Sequence, residues 1–220
     1  MTRFTGFEQD QGGPSRHPGP FVCILGGDGS GKSTLIKRLK KLRPTWAFAH
    51  WKQFSAVTQL SSIAPGLDPP ETLKILGPNA RAAQLCYLAA LEYDAIVSPA
   101  IMARRPVIVD SFWFKFAAKM KVLDMAAPFL YEVCLGLPNP ALILFLDTPL
   151  ALAKARKASI NFFECGGIPK DFIAFQAAIR QVMLGFVAQL PMVKLDGSLP
   201  IENLADLAIK HISPVFESAP

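Results

Sequence analysis

Gly26-Gly27-Asp28-Gly29-Ser30-Gly31-Lys32-Ser33-Thr34 decides how the chain is read, because it satisfies G-x-x-x-x-G-K-[S/T] between an apolar run and a helical pattern. The preceding Phe21-Val22-Cys23-Ile24-Leu25 is short and apolar, as expected of a buried parallel strand. A glycine-rich turn after such a strand can aim several backbone N–H groups at one point, and the N-terminus of the helix that begins with Leu35-Ile36-x-x-Leu39 favours an anion there. The pattern places Lys32 on the β- and γ-phosphates of a nucleotide, the Ser33 hydroxyl on Mg²⁺ and Thr34 in the first helical turn. Gly27, Asp28, Gly29, Ser30 and Gly31 complete the cradle, so ATP or GTP with Mg²⁺ is the expected ligand.

Outward from this loop, 220 residues with 51% hydrophobic content suit one α/β domain with a sizeable core. The formal charge is +6, but Lys37, Arg38, Lys40, Lys41 and Arg43 cluster on the first helix and the rest is scattered, which argues against a nucleic-acid partner. Cys23, Cys86, Cys134 and Cys165 have no metal-ligand spacing, and neither a zinc site nor a disulfide is expected. No apolar run is read as reaching membrane-spanning length, and the first 20 residues lack the apolar centre of a signal peptide. The expectation is a soluble cytoplasmic protein: a flexible arm over 1–20, one domain over 21–212 and a tail over 213–220.

Along the chain, residues 46–51 read as a second strand whose end carries His50, Lys52 and Gln53, either facing the cleft or merely exposed. Residues 54–78 read as a loop with a short helix near 71–76, and 79–104 as a long helix kinked or broken at Pro99. Val107-Ile108-Val109-Asp110 is a strand ending in a carboxylate, suited to Mg²⁺ and its waters, although a helix N-cap would look the same. The aromatic run Phe112-Trp113-Phe114-x-Phe116 reads as core. A helix is expected over 126–135, a fourth strand over 141–147, and a helix from Pro149 that carries Arg156 and Lys157. Residues 158–170 form a polar break suited to a closing lid, with Arg156 either stabilising transferred charge or simply ending its helix. A helix over 171–190, a fifth strand over 192–196 and a helix over 201–212 complete an alternating βα chain.

This order of motifs resembles the thymidylate kinase family of nucleoside monophosphate kinases across most of residues 21–212. The resemblance rests on the loop at 26–34, L-C-Y-L-A-A-L at 85–91, V-I-V-D at 107–110, P-A-L-I-L-F-L-D-T-P at 140–149 with Arg156 after it, and L-D-G-S-L-P-I-E-N-L at 195–204. It implies a three-layer α/β/α P-loop NTPase fold with a five-stranded parallel sheet, ATP and Mg²⁺ at the loop, and a small-molecule phosphate acceptor in the facing cleft. It further implies that Asp28 contacts the acceptor sugar, Tyr87 stacks on its base, Arg156 serves as a lid arginine, and Asp196 and Gly197 border the adenine. A homodimer is compatible with the sequence, which does not decide it.

Two departures bear on the acceptor. The family's Asp-Arg-aromatic triplet is here Asp110-Ser111-Phe112, and the arginine expected near the end of 85–91 is Leu91. The Arg-Glu-Pro expected after the second strand is also absent, leaving His50-Trp51-Lys52-Gln53. Without arginines a phosphate dianion loses its strong charge-assisted bonds. Either Lys52, Arg81, Lys115 or Lys119 substitutes, or the acceptor is a hydroxyl on a non-nucleotide molecule, or nucleotide binds without turnover.

Overall fold

The computed structural model describes residues 21–54, 69–124, 133–166 and 171–217. Five strands, β1 (Val22–Leu25), β2 (Ala47–Ala49), β3 (Val107–Asp110), β4 (Leu142–Asp147) and β5 (Met192–Asp196), form one sheet in the order β2-β3-β1-β4-β5. Every described pairing is parallel. The central strand β1 is buried on both faces, which is why its sequence is continuously apolar.

Between the strands lie α1 (Lys32–Leu42), α2 (Pro69–Glu92), α3 (Ser98–Met102), α4 (Phe112–Val122), α5 (Leu150–Ala155), α6 (Phe162–Cys165), α7 (Phe172–Phe186) and α8 (Ile201–Glu217). Strand side chains alternate between two cores. Cys23, Leu25, Val107, Val109, Ile143 and Phe145 pack with α2, α3, α4 and α7, whereas Val22, Ile24, Ile108, Leu144 and Leu195 pack with α1 and α8. Helices therefore cover both faces, giving the expected three-layer α/β/α arrangement. Ile24 registers with Asp110 on one side and Leu144 on the other, so the loop after β1 and the carboxylate ending β3 emerge at the same sheet edge. That edge, beyond the carboxyl ends of the strands, is where this class of sheet holds ligands.

Several boundaries differ from expectation. The second strand is only Ala47–Ala49, and Trp51–Phe54 turns into a 3₁₀ helix. Helix α2 begins at Pro69 and passes through a break at Gly77, whose φ of 67° a residue without Cβ tolerates. Pro99 does not break the helix that follows. A π-helical turn at Tyr93–Val97 precedes it and widens the spiral where the proline ring and its missing N–H would conflict with α geometry. Helix α7 stops at Phe186, four residues earlier than expected, and α8 runs to Glu217 with Pro214 inside it rather than ending at Ile212. Most of the helix expected over 126–135, the end of the 158–170 lid and the whole 1–20 arm lie outside the described residues.

One membrane-related expectation is corrected. Ala82–Met102 is, by length and composition alone, long and apolar enough to cross a membrane. Its Ala82, Cys86, Leu88, Ala89, Tyr93 and Val97 are buried in the core, and Glu92 sits among them. Small alanines raise the mean hydropathy of a helix that serves as a wall of the domain.

Candidate functional site

The loop between β1 and α1 folds as a cradle whose shape is enforced by close neighbours. Gly29 has φ 76°, and a Cβ there would run into the Ala153 carbonyl. Gly31 caps α1 at φ 95°, so the helix starts at Lys32 with its first N–H groups facing the loop. Thr148 Oγ1 donates to the Ser30 carbonyl at 3.0 Å, fixing the loop to the end of β4. Lys32 is buried, and its Nζ donates to the carbonyls of Gly26 (2.8 Å) and Gly27 (2.7 Å). Burial and the nearby Lys115 ammonium push Lys32 down to about 7, against the pull of Asp110 and Asp28.

Asp28 is the hub of the site. Its carboxylate pairs with Lys115 and with Lys119, the latter at 2.9 Å, two residues one turn apart on the inner face of α4. Gln176 on α7 completes the hub: its Oε1 accepts from the Asp28 N–H (2.9 Å) and its Nε2 donates to Asp28 Oδ2 (3.1 Å) and the Glu164 carbonyl (2.8 Å). Burial works to raise the Asp28 carboxyl, but the ammonium groups of Lys115, Lys119 and Lys32 hold it well below the usual carboxylate range. Lys119 Nζ also donates to the Phe163 carbonyl at 2.6 Å, and Lys157 Nζ pairs with Glu164 Oε1 at 2.6 Å. These bonds tie the start of the expected lid to the loop and to α4.

Asp110 is 8% exposed at the end of β3. It is not the helix cap that the sequence allowed: Ser111 occupies the N-cap of α4. The Ser111 hydroxyl instead donates to Asp110 Oδ1 at 2.8 Å, and His50 Nε2 lies 3.5 Å from Oδ2. Ser111 and Phe112 both have positive φ (66° and 43°), so the backbone is strained where it leaves β3. Behind Asp110, Glu92 is fully buried, and burial with the Asp110 charge pushes it up to about 8.

These groups open on one cavity of about 1100 Å³, larger than a single drug-sized ligand needs. Its walls carry residues 28–34, Arg156 and 197–201 together with Asp110, Lys115 and Lys119, and the apolar side chains of Leu85, Leu88, Phe116, Met120 and Leu123. Lys32, Lys115, Lys119, Arg156 and Lys157 outnumber Asp28, Asp110 and Glu164 on its walls, so the cavity favours an anion.

The structure therefore brings together Asp28, Gly29, Ser30, Gly31, Lys32, Ser33, Thr34, Asp110, Lys115, Arg156 and Gly197. Gly27 sits behind the loop, contributing its carbonyl to Lys32. Arg156 ends α5 and donates from Nη1 to the Gly197 carbonyl at 2.8 Å, bridging the phosphate loop and the turn after β5.

Two expectations fail. Tyr87 is 54% exposed and off the cavity, because Leu85 and Leu88 occupy the inward face of α2 and Tyr87 lies two residues from Leu85, about 200° around the helix. Asp196 turns its carboxylate into its own turn, accepting from Ser198 N (2.8 Å) and Oγ (2.6 Å), which leaves the cavity wall to Gly197 and Ser198. The side chains of Lys52 and Arg81 lie outside the described residues. Gln53 returns to the backbone, donating to the Phe48 carbonyl at 3.2 Å.

Lys119, one of the four candidate cations read from sequence, lines the cavity four residues after Lys115. Two further features were not singled out from sequence. Phe116 and Met120 line the cavity although their stripe reads as core. Gln176 had no signal beyond being polar within an apolar helix pattern.

No protein-family profile matches the chain. Individual relatives do. The thymidylate kinase of Dinoroseobacter shibae is 29% identical over 217 residues, covering 89% of this chain and 97% of its own length. The thymidylate kinase of Rhodopseudomonas palustris is 27% identical over 206 residues, covering 86% of each chain. Over most of its length the chain is similar to thymidylate kinases. A third relative, the thymidylate kinase of Protochlamydia amoebophila, is 26% identical over 188 residues, covering 80% of this chain and 84% of its own. Ser111 and Leu91 stand where the resemblance expects arginines, and Lys115 and Lys119 on α4 bring positive charge to the cavity.

Proposed function

We propose that this chain transfers a phosphoryl group from ATP, with Mg²⁺, to a nucleoside monophosphate, with dTMP the first acceptor to test. The observation that carries the reading is that the phosphate cradle and the Lys115–Lys119 pair open on one cavity, so a donor and an anionic acceptor can meet there. The overall likeness to thymidylate kinases supports the same reaction class.

In this reading the loop N–H groups and Lys32 hold the donor phosphates, and Arg156 lies beside them to offset charge that spreads over the transferred group. Ser33 and Asp110 both line the cavity, and a hydroxyl with a carboxylate is a hard-oxygen set that fits Mg²⁺. Bound there, the ion would neutralise phosphate charge during transfer. Lys115 and Lys119 take the place of the missing arginines on the acceptor phosphate, and the apolar wall of Leu85, Leu88, Phe116 and Met120 excludes water around the base. Rate enhancement comes from positioning and electrostatics.

A second reading, phosphorylation of a hydroxyl on a non-nucleotide small molecule, is favoured by one observation: no stacking aromatic is supplied by Tyr87. There Asp28 or Asp110 would accept the hydroxyl proton. A coupled ADP-release assay across nucleoside monophosphates and a pool of small hydroxyl compounds separates the two. Turnover with dTMP or another monophosphate supports the first, turnover with the pool alone supports the second, and ATP binding without turnover contradicts both.

A further inference from the structure

Away from the charged residues, two thiols meet inside the α2-side core. Cys86 Sγ on α2 and Cys134 Sγ, 48 residues later, are 3.2 Å apart, and both residues are buried. We propose that Cys86 and Cys134 form an intramolecular disulfide when the protein meets a small peroxide, making this pair a reversible oxidation site on the acceptor-side wall.

A disulfide needs the sulfurs at roughly 2.0 Å, so the two sulfurs must close by only about 1 Å. Either thiol can donate across this contact; with Cys134 donating, the bond draws the Cys86 thiol below its ordinary range and raises Cys134, which makes Cys86 the attacking sulfur and Cys134 the resolving one. Burial at 3% and 2% exposure excludes bulky disulfide oxidants and leaves a small one such as hydrogen peroxide. In the first step the Cys86 thiolate displaces hydroxide from hydrogen peroxide, giving a sulfenic acid while the hydroxide takes up the thiol proton as water. The Cys134 thiol then attacks that sulfur, loses its proton and expels a second water. Two thiols and one peroxide thus become one disulfide and two waters.

The crosslink would close a loop that contains β3 and α4, and with them Asp110, Lys115 and Lys119. Cys86 lies between Leu85 and Leu88, both on the cavity wall. Oxidation therefore fixes the acceptor-side wall to the segment after α4. This inference concerns the fold and does not depend on the kinase reading.

The test treats the full chain with stoichiometric hydrogen peroxide, quenches with an alkylating agent under denaturing conditions, and reads intact mass, a non-reducing peptide map and the melting temperature. Expected are a mass lower by two hydrogens, two of the four cysteines protected from alkylation, a Cys86–Cys134 crosslinked peptide, reversal by dithiothreitol, and a melting temperature higher by about 5–10 °C. In Cys134→Ser, dimedone should instead trap a sulfenic acid on Cys86. If Cys134→Ser does not fold, the wild-type mass and map still decide the matter. Four alkylated cysteines after peroxide, or a crosslink involving Cys23 or Cys165, overturns the proposal.

Discussion

Lys119 on α4 reaches Asp28 of the phosphate loop across the cleft, with Nζ 2.9 Å from Oδ2, while Lys115 one turn earlier pairs with the other carboxylate oxygen. The glycine-rich loop is thereby held by a helix whose side chains line the same cavity. Both lysines and the aspartate are largely buried, so these pairs are only weakly screened.

Replacing Asp28 with Asn leaves two buried ammonium groups facing each other. Unfolding free energy should fall by about 3 kcal/mol at pH 7, measured by urea denaturation. The pH sign follows from the depressed Asp28 carboxyl. Its stabilising contribution is complete above the ordinary carboxylate range and is lost as pH falls through the folded-state value. The wild type should therefore weaken in acid more steeply than Asp28→Asn.

Lys115→Met and Lys119→Met each remove one charge-assisted bond to an anionic acceptor. Acceptor KM should rise about 10- to 100-fold, with a smaller rise in the ATP KM because each lysine also pairs with Asp28 of the donor loop. Equal losses for both substrates would mean that the lysines only hold the loop in shape.

Lys32→Met should separate activity from stability. Turnover should drop by roughly 10²- to 10³-fold as one preorganised cation is lost. Stability at pH 7 should be unchanged or higher, because burial drives Lys32 down to about 7 and the native state resists its charge. Calorimetry and steady-state kinetics on one preparation read both quantities.

Glu92→Gln should flatten the response to base. The Glu92 carboxyl is pushed up to about 8, so between its unfolded value and pH 8 the native state holds a proton that the unfolded chain has released. Stability then declines as pH rises through this window, by a few kcal/mol in all, since each tenfold difference in proton affinity between the two states is worth about 1.4 kcal/mol. Urea midpoints from pH 5 to 6.5, below the range in which Lys32 releases its proton, should decline in the wild type and stay level in Glu92→Gln.

The donor half of the site was legible because it is local: nine consecutive residues carry the cradle, and a strand and a helix flank it. The sheet was legible for the same reason, each buried strand being a short apolar run. The acceptor half depends on which helical face turns inward, and that is set by tertiary packing. Tyr87 looked like a ligand platform by its place in the motif, yet the faces of α2 are assigned by Leu85 and Leu88. Phe116 looked like core and lines the cavity. Gln176 joins Asp28 across 148 residues, and the two thiols meet across 48, separations for which the sequence holds no pattern.

The central claim is most directly tested by following the γ-phosphate itself. Labelled ATP, Mg²⁺ and dTMP are incubated with the wild type and with Lys32→Met, and the products are separated and identified. The account predicts labelled dTDP from the wild type and almost none from Lys32→Met. ATP bound or hydrolysed without label on dTMP or any other nucleoside monophosphate would contradict it.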